Sequence, residues 1–167
     1  MAILEILKHP DPRLKEKAVP VKEITQEIQV VIDDMIETMY ADGGMGLAAI
    51  QVGVAQRIFV MDDSKDQTHP QVFINPEVIE KKGEIELQEG CLSFPGVFIK
   101  IKRPEFVKIT AKDREGNDFE ISGDDYVARC FLHEIDHLDG VTFFDYLSPL
   151  KRQMAEKKLK KHMRQIL

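Results

Sequence analysis

The chain has 167 residues, 43% hydrophobic and 31% charged, with a formal net charge of −6; this suits one globular domain with a real core and argues against a surface made for DNA or nucleic acid in general. No apolar run approaches the ~18–20 residues needed to span a bilayer, which speaks against membrane partners. The opening Met1-Ala2-Ile3-Leu4-Glu5 lacks the charged and apolar regions of a signal peptide, so a cytoplasmic address is expected.

In chain order, His9-Pro10-Asp11-Pro12-Arg13 is a turn element. Thr25 to Ala41 reads as a helix, because Ile28, Val31, Ile32, Met35, Ile36 and Met39 form one apolar stripe behind a Thr25 N-cap. The helix breaks into Asp42-Gly43-Gly44-Met45-Gly46, whose glycines permit close approach to a ligand. A β-rich middle follows, with strands expected at 57–61, 71–75, 77–82, 84–88, 97–102, 105–112 and 118–121; Pro76 separates the second from the third, and 113–117 form a hairpin turn. A helix over 125–138 stops at Gly140, and a last helix runs from Pro149 to the C-terminus. The resulting class is α+β, with antiparallel strands wrapped around the helix at 125–138.

His133-Glu134-Ile135-Asp136-His137 is H-E-x-x-H. On a helix, positions i and i+4 stand one above the other, so both imidazoles reach one ion. Glu134 leaves on a neighbouring azimuth and can contact a water without ligating the ion. The helix is apolar nearly all round, as a central buried helix would be. A catalytic centre needs a third protein ligand and an open position. Nothing just downstream of His137 supplies that ligand, and His162 lies in the charged tail. Upstream, Glu89-Gly90-Cys91-Leu92-Ser93 offers a thiol in a tight turn, in a chain with only one other cysteine. A cytosolic address makes metal or catalytic use of Cys91 more natural than a disulfide to Cys130. Cys130 competes as a ligand; if both bound, the centre would be a closed structural one. Otherwise it lines an apolar pocket beside the ion.

Three segments together carry a family resemblance. Gly44-Met45-Gly46-Leu47-Ala48-Ala49-Ile50-Gln51 resembles the G-φ-G-φ-A-A-x-Q motif of peptide deformylases, Glu89-Gly90-Cys91-Leu92-Ser93 their E-G-C-φ-S, and His133-Glu134-Ile135-Asp136-His137 their H-E-φ-D-H, in the right order over nearly the whole chain. The resemblance implies one catalytic domain over 1–167 that removes the formyl group from N-terminal formyl-methionine of nascent peptides. It implies Fe2+ held by Cys91, His133 and His137, with Zn2+, Ni2+ or Co2+ as substitutes; ligand chemistry alone would suggest zinc. It implies Glu134 as general base and acid, and Gln51 and the Leu92 backbone N–H as oxyanion donors. Gly46 would let peptide backbone lie alongside the chain as an added strand. Met45, Leu87, Tyr126, Cys130 and the His133 ring would line a pocket for methionine. Arg129 departs from the apolar residue expected at the pocket edge, where it would either rim the pocket or pair with an acid, and Phe98 stands where some members carry a basic residue. A Glu89–Arg103 salt bridge is expected to hold the Cys91 turn.

Two other readings fit parts of the chain. One is a metallopeptidase of different specificity, against which the missing downstream ligand and Gln51 speak. The other is a metal-stabilised module that docks RNA. From Pro149 onward the chain is +6 while the remainder is −12, so the helix at 149–167 is either a solvated face or a dock for an acidic partner, ribosomal RNA in particular.

Overall fold

The computed structural model describes residues 2–166. Helix α1, Gln26–Ala41, begins where the Thr25 hydroxyl accepts the Ile28 N–H at 3.2 Å, and its stripe buries Ile28, Ile32, Met35 and Met39. The glycine-rich segment then forms a short strand, β1, Gly46–Ala48, and a 3-10 turn, Ala49–Val52. Strands β2, Ile58–Met61; β3, Gln71–Lys82; β4, Ile85–Gly90; β5, Phe98–Arg103; β6, Phe106–Lys112; and β7, Asp118–Asp124 follow. Helix α2, Asp125–Leu138, and helix α3, Pro149–Ile166, complete the order. Leu167, the end of the expected last helix, lies outside the described residues. Among those residues no helix is long and apolar enough to cross a membrane.

The expected break at Pro76 is absent: β3 is a single strand. Ile74 pairs with Lys112 and Glu77 with Thr110, so two residues of β3 stand opposite one of β6. That bulge takes up a proline that cannot donate to the ladder. Asn75, at φ 52°, turns its side-chain amide onto both backbone groups of Val21 at 2.8 and 2.9 Å.

The fold is α+β. Five antiparallel strands lie in the order β1-β2-β3-β6-β7, and β4-β5 form a separate two-stranded sheet. Strand β2 is buried throughout because both of its faces are covered. Phe59 and Met61 pack with Phe73, Val107 and the α2 residues Phe131 and Ile135. Ile58 and Val60 pack with Ile32, Met35 and Met39 of α1. Thus the larger sheet lies between α1 and α2. A third cluster joins Ile99 and Ile101 of β5 to Phe94, Phe143, Phe144 and Leu159 of α3. Strand β1 ends the larger sheet and β4 has a single strand partner among the described residues, so each leaves an unpaired strand edge near α2.

Candidate metal centre and active site

Helix α2 presents His133 and His137 one turn apart, with ring centroids 4.9 Å from each other. The end of β4 delivers Cys91 to the same place, where the Phe94 N–H closes the turn on the Cys91 carbonyl at 3.0 Å. The sulfur of Cys91 stands 3.3 Å from His137 Nε2. That sulfur and one ring nitrogen of each histidine lie within 4.8 Å of one another. Cys130 is not part of this group; buried in the core, it faces Gly46. Burial and the nearby Glu134 charge push its thiol pKa well up, which suits a neutral pocket residue.

His133 Nδ1 lies 2.8 Å from Glu89 Oε1. Burial alone would raise the Glu89 pKa, but hydrogen bonds from His133 and Arg103 outweigh it and hold the carboxyl at about 2. The carboxylate therefore only accepts, His133 Nδ1 donates, and Nε2 is left for an ion. The expected salt bridge is present, with Arg103 Nε at 2.5 Å and Nη2 at 3.1 Å from the Glu89 oxygens. Arg103 also reaches Asp136 Oδ2 at 2.9 Å, and Tyr146 donates to that same oxygen at 2.8 Å.

Charge in the cluster is uneven. Burial disfavours charge on His133, yet the Cys91 sulfur and Glu89 outweigh it and hold its pKa well up. Burial and the His133 charge push His137 well down. The surroundings that draw a proton to His133 would equally draw a metal cation. A soft sulfur, two imidazoles and a carboxylate behind one of them form a donor set that fits a divalent transition metal.

Glu134, 4% exposed, has its Oε1 buried without a partner. Burial pushes its carboxyl up to about 7, against the pull of His133. A Cβ at position 46 would stand 2.7 Å from Glu134 Oε2 and 2.9 Å from Cys130 Sγ. Only glycine lets β1 pass this close to α2. Gln51, 2% exposed, accepts the Ala48 N–H at 2.9 Å and points its amide toward Ser93 Oγ at 3.1 Å and Cys91 Sγ at 3.6 Å.

These groups open onto one cavity of about 560 Å³. Its lining includes Met45, Gly46, Gln51, Cys91, Leu92, Tyr126, Cys130, His133 and Glu134. Leu87 is half-buried on β4 and His137 lies deeper; neither is in the lining. Lys8, Asp42, Gln88 and Pro95 also line it, and no sequence pattern marked them. Phe98, exposed on β5, borders the cavity with its ring against Gly90. Arg129 also lines the cavity, but it is buried and its charge is paired with Glu89 at 2.5 Å.

Comparison with known proteins gives the family. The family model described as polypeptide deformylase matches residues 3–153. The chain belongs to the polypeptide deformylase family. It is similar to peptide deformylase 1 of Shewanella oneidensis, 50% identical over 99% of this chain and 98% of that protein. The peptide deformylase of Tolumonas auensis is also 50% identical, over 96% of each chain. Among solved structures, the Legionella pneumophila peptide deformylase superposes with a TM-score of 0.95 at 47% identity, covering 98% of this chain and 96% of that one. An Ehrlichia chaffeensis peptide deformylase in complex with actinonin gives 0.92 at 42%, covering 98% and 99%. As a polypeptide deformylase, the chain is a metal-dependent hydrolase, and the Cys91, His133 and His137 group is where its residues could hold the metal.

Proposed function

We propose that the chain acts as one catalytic domain over 1–167, in the cytoplasm, and removes the formyl group from N-terminal formyl-methionine of newly made peptides. The observation that carries this reading is that the donor group of Cys91, His133 and His137 sits at the floor of one cavity, which Cys91 and His133 line together with Glu134 and Gln51 while His137 lies deeper. Cys91, His133 and His137 are the ligands, and Fe2+ is the native ion, with Zn2+, Ni2+ or Co2+ able to replace it. When bound, the ion supplies Lewis acidity, polarising the formyl oxygen and acidifying water.

The protein's own groups do the rest. Glu134 accepts the proton of the attacking water through its unpartnered oxygen, then delivers it to the departing amine. The Gln51 amide and the Leu92 N–H donate to the developing oxyanion; one such donor is typically worth ~3–4 kcal/mol. Peptide backbone enters as an added strand at the free edge of β1, where Gly46 lets it run close to Glu134. Met45, Tyr126, Cys130 and the His133 ring receive the methionine side chain; Leu87 is not among the residues lining the cavity.

The test is anaerobic purification with metal analysis, followed by formate release from a formyl-methionyl peptide. One metal per chain and formate release are expected, along with inhibition by actinonin, which the Ehrlichia chaffeensis relative binds. Cleavage of unformylated or internal peptide bonds without formate release would instead support the metallopeptidase reading.

A second reading concerns α3. Lys151, Lys157, Lys158, Lys160, Lys161 and Arg164 are exposed on it, which supports docking on ribosomal RNA. Leu159 of the same helix is buried in the third core cluster, so truncation would uncover Phe94 and Phe143. Reversing the charge of four exposed lysines is the cleaner experiment. Weaker, less salt-dependent ribosome binding with unchanged small-peptide turnover is expected; unchanged binding would reject the dock.

A further inference from the structure

The proposed reaction leaves one buried guanidinium without a role. Arg129 is 3% exposed and stands four residues, one helical turn, before His133 on α2. Its Nη1 is 2.5 Å from Glu89 Oε2 and its Nη2 donates to the Ile85 carbonyl at 3.0 Å. Ile85 opens β4, and Glu89 is near its end, two residues before Cys91. One side chain of the helix therefore grips both ends of the strand that carries Cys91.

The ligand set makes this consequential. Two of its members ride on α2 and the third on a turn after β4, which belongs to the small sheet with no strand pairing to the larger one. Polar bonds therefore register the third ligand against the other two. Arg103 makes one such link from the hairpin to Asp136, and Arg129 makes the opposite one from the helix to the hairpin. We infer that Arg129 is a positioning residue: by clasping Glu89 and Ile85 it fixes the distance of Cys91 from His133 and His137 and the orientation of the carboxylate behind His133. The inference rests on the reading of those three residues as metal ligands.

Charge and geometry make opposite predictions here. With Arg129, the two arginines balance Glu89 and Asp136. Removing one positive charge beside a cation would, by Coulomb attraction alone, tighten metal binding. Loss of a clasp loosens it; groups that orient metal ligands typically contribute about 10–100-fold in affinity.

The experiment loads the full chain with Co2+ under anaerobic conditions and measures affinity by chelator competition, together with the thiolate-to-cobalt absorption band. Variants are Arg129→Met, which keeps the apolar stem, Arg129→Lys, which keeps the charge, and Cys91→Ser as the band control. Expected are a loss of about 10–100-fold in affinity and an altered thiolate band in Arg129→Met, with a smaller loss in Arg129→Lys. Wild-type or tighter affinity with an unchanged band in Arg129→Met overturns the inference. Should that variant fail to fold, Arg129→Lys decides: one ammonium cannot reproduce the planar fork, so wild-type affinity and band there also overturn it. A wild-type chain lacking the band, identical to Cys91→Ser, would overturn the ligand set and this inference with it.

Discussion

Glu89 stands directly behind His133, its Oε1 2.8 Å from the ring Nδ1, while two guanidinium groups hold its other oxygen. A carboxylate 44 positions earlier in the chain thus determines which nitrogen of His133 faces the cavity. Replacing Glu89 with Gln keeps an acceptor for His133 but removes the charge. Metal affinity should fall by about 10–100-fold, measured by chelator competition. Glu89→Ala should also lower stability by ~3–5 kcal/mol, because Arg103 and Arg129 would be buried without their counter-charge. Unchanged metal retention in both variants would remove Glu89 from the ligand-orienting role.

Glu134→Gln preserves shape and hydrogen-bonding capacity but not basicity. Turnover of a formyl-methionyl peptide should drop by about 10²–10⁴-fold, with metal content the same as wild type. Formate release and metal analysis on one preparation check this. Retained turnover would show that another group moves the proton.

Gln51 holds the Ala48 N–H and is proposed to donate to the oxyanion, and Gln51→Glu separates these two roles. A carboxylate can still accept the Ala48 N–H that now meets Oε1 at 2.9 Å, so the turn at 49–52 should survive. Under the proposed mechanism it places negative charge where the oxyanion would develop. The expected result is a fall in kcat of about 10²–10³-fold with little change in melting temperature. A loss of stability that matched the loss of rate would assign Gln51 to the fold alone.

Gly46→Ala tests the close passage of β1. The new methyl would meet Glu134 Oε2 at 2.7 Å and Cys130 Sγ at 2.9 Å, so the carboxylate or the strand must move. A displacement of ~1 Å is enough to cost about 10²-fold in rate. Metal should remain bound, since no ligand is touched. The kinetic loss should appear in kcat as well as KM, and a full-rate variant would count against Glu134 being held in register by this contact.

Asp62, at the end of the buried β2, gives a pH prediction away from the metal. Burial raises its carboxyl, but Ser64, Tyr40 and the His69 N–H all donate to it and bring its pKa to about 2. The unfolded value is ~3.9, so the folded state favours the ionised form. Its stabilisation is complete above the unfolded pKa and is lost as pH falls through about 4 toward 2. Asp62→Ala should cost ~1–3 kcal/mol near neutrality, and the gap to wild type should narrow in melts taken near pH 3. A gap that is constant with pH would mean that packing, not the ionised carboxylate, is responsible.

Local periodicity determined much of this protein. The stripe from Ile28 to Met39, the Thr25 cap and the i, i+4 placement of His133 and His137 depend on neighbours within a few residues, so the sequence alone was sufficient for α1, α2 and the two-histidine half of the site. The scarcity of cysteine and the tight turn around it pointed to Cys91. The tertiary structure decided what depends on distant partners. The bulge that carries Pro76 through β3 needs β6 opposite it. The short strand Gly46–Ala48 exists because Leu47 pairs with Val60; the glycines by themselves indicate close approach to a ligand, not this pairing. Whether Arg129 rims the pocket or pairs with an acid does not follow from its neighbours on the helix; its partners, Glu89 and Ile85, lie 40 and 44 residues away. The physical reason is the same in each case. Backbone periodicity is set by short-range sterics and hydrogen bonds, whereas the burial of a charge or the register of two sheets is defined only once the chain has closed on itself.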